Sequence, residues 1–172
     1  MPPTDPRFQH LESAALGRLG TMISTSATPT STPITTIDEA RQAPLITDED
    51  IRRRVSELIG RANVRRLWLL FLDSDNVQLP LLIPIDGLPT EPTEDQTIRV
   101  VTNIAELMVD IEASSIVTVW ERYGAPKLTA QDAAWARSLH QTCREQGITL
   151  RAMLLSHRTG VSWIGADDFE LA

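Results

Sequence analysis

The sequence predicts an α/β fold, with a single domain over residues 47–172 and a three-layer-like arrangement around a mixed sheet. Three observations predict it. Short β-branched or apolar runs alternate with amphipathic stretches of helical period. Each of three amphipathic stretches opens on a threonine followed by acidic or amide residues, as a capping box does. Two of the apolar runs are joined by a turn too short to hold a helix, so one antiparallel hairpin must sit among otherwise helix-linked strands.

In chain order, Thr47-Asp48-Glu49-Asp50 opens the first helix, with Asp where a capping box usually has Glu. Its acidic first turn suits the helix dipole. Ile51, Val55, Leu58, Ile59 and Ala62 follow at helical spacing, with Gly60 near the end. Leu67–Leu72 is an unbroken apolar run, expected as a strand buried on both faces. Asp73-Ser74-Asp75-Asn76 is dense in turn formers, and Val77–Ile85 returns as the second hairpin strand. Pro80 and Pro84 cannot donate to a ladder, which places that strand at an edge or a bulge. Asp86–Pro92 reads as loop. Thr93-Glu94-Asp95-Gln96 caps a second helix carrying Ile98, Val101, Ile104, Ala105, Met108 and Ile111. Ser115–Trp120 is a strand, and Glu121–Leu128 a loop. Thr129-Ala130-Gln131-Asp132 starts a third helix, with Ala133, Ala136, Leu139, His140 and Cys143 on one face and Gly147 as its stop. Ile148–Leu155 and Gly160–Ile164 are closing strands around a Ser156–Thr159 turn. The strands linked by the third helix are expected to run parallel through a right-handed crossover.

Residues 1–46 read differently. They are rich in Thr, Ser and Pro around TSATPTSTPITT, too poor in apolar surface to offset the entropy of ordering, and are expected to be a disordered tail. His10–Arg18 offers a turn or two of amphipathic helix within it, and folding of the tail on a partner stays open. No internal repeat is visible.

Composition narrows the function classes. With 23 acidic against 16 basic residues the formal net charge is −7, which does not favour a general nucleic-acid binder. A single cysteine, Cys143, excludes an internal disulfide and suits a reducing compartment. No basic and apolar leader stands at the N-terminus, and no apolar run is long enough to span a bilayer. The expectation is a cytoplasmic protein with no membrane association.

The order of elements, with LWLLFLDSDNVQLPLLIPIDG as an opening hairpin, EASSIVTVW as a strand, and LTAQDAAWARSLHQTCREQGITLRAMLLSHRTGVSWI as the following helix and closing strands, resembles the RadC-like branch of the JAB/MPN metalloprotease-fold proteins. The resemblance covers roughly Leu67 to Ile164. It implies a site at the end of the Ser115–Trp120 strand, where catalytic members place a His-x-His pair, with an Asp about ten residues on, a nearby Ser and an upstream Glu. Aligned on Gly124 and Asp132, the histidine positions here hold Val119 and Glu121. Asp132 matches the Asp; the upstream Glu and the Ser have no match. The resemblance therefore implies a scaffold without the metal ligands, and no cofactor is expected.

The residues agree on their own terms. A catalytic zinc needs about three His, Cys or carboxylate ligands converging at ~2.0–2.3 Å. His10, His140 and His157 fall in the tail, on a helix and in a late turn, with no short ligand spacing. Glu121 and Asp132 would suit a weak hard-cation site at best, and Asp132 is explained as a helix cap. His140 and Cys143 share a helical face with Ala136 and Leu139, which reads as core packing against the alternative of a Cys–His nucleophile pair. Ser156-His157 lacks an acid partner or nucleophile elbow. Gly17-x-x-Gly20 has no preceding strand, as a phosphate loop would require. Asp73, Asp75 and Asn76 lack the rest of a calcium loop.

Two surfaces remain as binding candidates. One is the corner after the third strand, Trp120, Glu121, Arg122 and Tyr123 with Asp132, where an exposed Trp–Arg–Tyr group would suit an interface. The other is a basic cluster of Arg52, Arg53, Arg54, Arg65 and Arg66, with Arg61 nearby. On a helix the triplet spreads over about 200°, so a solvated face competes with a binding patch. Trp68, Trp135 and Trp163 lie in or beside core elements. The sequence leads to a non-catalytic protein-interaction or regulatory module with a protein partner. A hydrolase with an unrecognised site and a DNA-associated accessory factor stay as alternatives, and the oligomeric state is open.

Overall fold

The structure, a computed structural model, describes residues 43–170. Of the tail expected over residues 1–46, residues 1–42, with His10–Arg18 and Gly17-x-x-Gly20, lie outside the described residues. The elements in order are α1 (Asp48–Leu58), β1 (Arg66–Leu72), β2 (Gln78–Ile85), α2 (Glu94–Asp110), β3 (Ser115–Glu121), α3 (Ala130–Glu145), β4 (Leu150–His157), β5 (Gly160–Trp163) and α4 (Ala166–Glu170). They form a mixed α/β fold around one five-stranded sheet in the order β2-β1-β3-β4-β5.

The three long helices among the described residues start as capping boxes. The hydroxyls of Thr47, Thr93 and Thr129 accept from the backbone N–H of Asp50, Gln96 and Asp132, whose side chains accept the cap N–H in return. Each box satisfies two of the backbone donors a helix start would otherwise leave unpaired. Gly60 and Gly147 take positive φ just beyond α1 and α3, where a Cβ would be strained. In the β1–β2 turn, Asp73 accepts from the N–H of Asp75 and Val77 while Asn76 adopts φ 61°. The Asp73 carboxylate is thus spent on reversing the chain.

Pairing explains the layers. β1 is antiparallel to β2 and β3, and β3 is parallel to β4. β2, β3 and β4 therefore share one direction and step across the sheet the same way. Crossovers of one hand place their helices on the same face, and α2 and α3 do share one. There, Leu67, Leu69, Phe71, Leu81, Ile83, Ile116 and Leu155 pack against Val101, Ile104, Trp135, Ala136 and Leu139. The opposite face, with Leu70, Leu72, Val117, Val119 and Leu154, is covered by Ile51 and Val55 of α1. Alternate β1 residues thus serve different cores, which is why the run reads as continuously apolar.

The elements depart from the sequence reading most at four places. Leu45, left in the tail by a boundary at residue 47, is buried beside Ile51, and its N–H bonds Asn76. β3 continues through Glu121, which pairs across to both Arg66 and Ser156. β4 takes in Ser156 and His157, expected as a turn, because the ladders to β3 and β5 extend over them. α4 was not anticipated: its one turn buries Phe169, whose ring lies 5.5 Å from that of His140. Pro84 pairs with Trp68, and β2 with its two prolines is indeed an edge strand.

Phe71 is fully buried. Phe71→Ala should cost about 3–5 kcal/mol of unfolding free energy in urea titration, through lost transfer energy and the cavity left behind.

Candidate functional site

The shared direction of β2, β3 and β4 brings the segments that follow them to one end of the sheet, together with the residues entering β1. In open α/β sheets this end carries ligand sites. Here it is tied together by hydrogen bonds.

Glu121 ends β3 with its side chain buried, at 5% exposure. One carboxylate oxygen accepts from the backbone N–H of Asn63 at 2.8 Å and of Val64 at 3.4 Å. The other accepts from Trp68 Nε1 at 2.8 Å. A buried carboxylate needs such donors, since an unpaired charge in an apolar setting is too costly to keep. Glu121 thereby fixes the chain between α1 and β1 onto the end of the sheet.

Asp132, on the first turn of α3, is 4% exposed. Its Oδ1 accepts from Trp120 Nε1 at 3.0 Å, and its Oδ2 from Arg122 Nε at 2.5 Å and the Thr129 N–H at 2.9 Å. The capping role expected of Asp132 is therefore real but is one of three. Arg122 donates on to the carbonyls of Ala125 and Lys127. A Cβ on Gly124 would lie 2.4 Å from Arg122 Nη1, so glycine leaves that guanidinium its place beneath the loop. The N–H of Arg158 closes on the Gly124 carbonyl, and that of Arg122 on Ser156.

Trp120 is not the exposed anchor the sequence suggested. β3 is the central strand, buried along its whole length. Trp120 therefore points into the core, its ring 5.8 Å from that of Trp135, with the Arg65 guanidinium 5.3 Å from its centroid. Of the corner residues, Tyr123 is the exposed one, at 69%. Glu121 and Asp132 are thus held in separate networks, and Val119 is wholly in the core. Among the described residues, no group of three or more His, Cys, Asp or Glu is placed to hold a metal ion.

The basic cluster is also divided. Arg52 pairs with Glu49 and Arg53 with Asp50, each one turn along α1. Arg54 is buried and donates to Gln78 Oε1 at 2.9 Å. Arg65 binds the carbonyls of Leu88 and Pro89. Arg66 forms a two-bond pair with Asp86 and lies over the Trp68 ring. The Arg54 and Arg65 contacts join distant segments, which spacing along one helix could not reveal.

Cys143 sits in the core with its thiol pKa pushed by burial up to about 11, as its apolar helix face predicted. His157 is buried at the end of β4, and its Nδ1 meets the N–H and hydroxyl of Thr159. Burial first, and then the positive charge of Arg122, hold its pKa below the usual value. No helix among the described residues is long and apolar enough to cross a membrane. Comparison with protein-family models and with curated proteins finds no match.

Asp132→Ala would strip the partner from three donors and leave a half-buried guanidinium uncompensated. It should cost about 3–5 kcal/mol in urea unfolding and weaken the near-ultraviolet circular dichroism of Trp120. His157 gives a pH signature. Its folded pKa is depressed below the unfolded value of about 6.5, so its contribution to stability is full above that value and is lost as pH falls through the folded pKa. The urea midpoint of the wild type should fall with acidification below about pH 6.5 more steeply than that of His157→Gln.

Proposed function

We propose that the chain is a non-catalytic protein-interaction or regulatory module, a RadC-like JAB/MPN scaffold that has lost its metal ligands. It binds a protein partner through the β3–α3 loop, with Tyr123 as the contact residue. The observation that carries the reading is the state of this loop: a solvent-exposed tyrosine on a backbone already braced from beneath by Arg122, at Ala125 and Lys127, and from the side by Arg158. Binding through a pre-ordered loop avoids much of the entropy cost of ordering it. A tyrosine supplies large contact area with few rotatable bonds, and such residues dominate interface hot spots. The carboxylates that would otherwise suggest chemistry at this corner are engaged in holding it together, Glu121 on the α1–β1 connection and Asp132 on the loop after β3. The internal pairing of Arg52, Arg53, Arg54 and Arg66, with the net charge of −7, supports a protein partner over nucleic acid. A cytoplasmic location fits the lone, reduced Cys143.

The test is affinity capture from native extract with wild-type chain and with Tyr123→Ala. The expected outcome is a specific partner held by the wild type and weakened about 30-fold by the variant, the effect of losing roughly 2 kcal/mol at a hot spot. The melting temperature should be unchanged, since the side chain is in solvent. Equal retention by the variant would exclude this loop as the interface. One equivalent of tightly held zinc in purified protein would overturn the non-catalytic reading.

A further inference from the structure

The two edges of the sheet are built differently. β2 carries Pro80 and Pro84, which remove donors from its ladder and oppose pairing with another chain. β5, Gly160-Val161-Ser162-Trp163, has no proline, lysine or bulge. Its inward bonds are set by the register His157↔Gly160, Leu155↔Ser162 and the Ile164 N–H to Met153. Backbone groups alternate in direction along an antiparallel strand. Those of Val161 and Trp163 therefore point away from β4, along the open side of the edge.

We propose that β5 pairs antiparallel with β5 of a second copy of this chain, across a two-fold axis at Ser162, joining two five-stranded sheets into one. The edge is self-complementary at three levels. In this register Val161 lies opposite Trp163 of the other copy, and the reverse, so each copy's outward groups meet as a bonded pair. Two such pairs, exchanging two bonds each, give about four backbone hydrogen bonds. Val161 and Trp163 also project to the same face of the sheet, both half-buried against the α1-side core. The two-fold thus sets a β-branched residue against an aromatic twice, a favourable cross-strand combination. Charge supplies the third level. The strand is preceded by exposed Arg158 and followed by exposed Asp167, and neither has an ion-pair partner among the described residues. Antiparallel pairing brings the basic start of each strand to the acidic end of the other. An isologous contact requires this head-to-tail complementarity within a single patch. The inference is independent of the role proposed for Tyr123.

Sedimentation equilibrium of the full chain tests it. The wild type should populate a species of twice the 19.1 kDa chain mass, with a micromolar Kd as a small interface gives. Val161→Pro removes an outward donor while leaving the bonds to β4 in place, and should raise Kd at least about tenfold with an unchanged circular dichroism spectrum. Should that variant unfold, charge reversal decides. Arg158→Asp should weaken the dimer, and Arg158→Asp combined with Asp167→Arg should restore it. A wild type that remains monomeric overturns the proposal, whether its edge is free, covered by residues 1–42 or reserved for another protein's strand. A dimer indifferent to folded Val161→Pro, or to Arg158→Asp, overturns it as well.

Discussion

A carboxylate that leaves water must find donors within the protein, and two of them at one end of this sheet set the shape of everything around them. Glu121 draws in the N–H groups of Asn63 and Val64 and the indole of Trp68. Asp132 draws in Trp120, Arg122 and Thr129. Between them they join the α1–β1 connection, the ends of β1 and β3, and the start of α3. The remaining loop after β3 is then fixed through the outer nitrogens of Arg122. Apolar residues at these two positions would leave several donors unmatched, so the carboxylates are structural in the strict sense that their partners depend on them.

Glu121 and Asp132 have the oxygen chemistry of metal ligands, and both are already engaged by donors of this chain. A position that could offer an oxygen to a metal is used to secure a loop, and a cation would have to displace existing N–H donors to bind there. That bonding gives the loop after β3 a fixed shape. Tyr123 stands exposed at the surface, whereas Trp120, three positions earlier, is buried and bonded to Asp132.

The fold was legible where local chemistry decides structure. The threonine capping boxes, the Asp73–Asn76 turn and the two prolines of β2 each act within a few residues, so their reading survives in three dimensions. The corner was legible in position and not in arrangement. That Trp120 faces the core depends on β3 being the central strand, which follows from pairing with β1 and β4 and not from the run of residues itself. Glu121 offered no hint of its donors, which lie 53–58 residues away. Arg54 and Arg65 looked like members of a basic surface because spacing cannot register a contact with Gln78 or with the Leu88 carbonyl. α4 lacked a signal because a single short turn has no periodicity to detect.

The central place of β3 also governs when the protein can become folded. β1 and β2 meet through a short turn and can associate early, whereas Leu67 must wait for Trp120 to complete its other ladder. Closing that long loop is an entropic toll that local contacts cannot reduce, and proteins dominated by such pairings fold slowly. α2, capped at its own start and lying within the loop, shortens the distance the chain must search. During synthesis, the hairpin must therefore remain without its principal neighbour until the chain has been made past residue 121, and its apolar β1 edge is exposed for that interval.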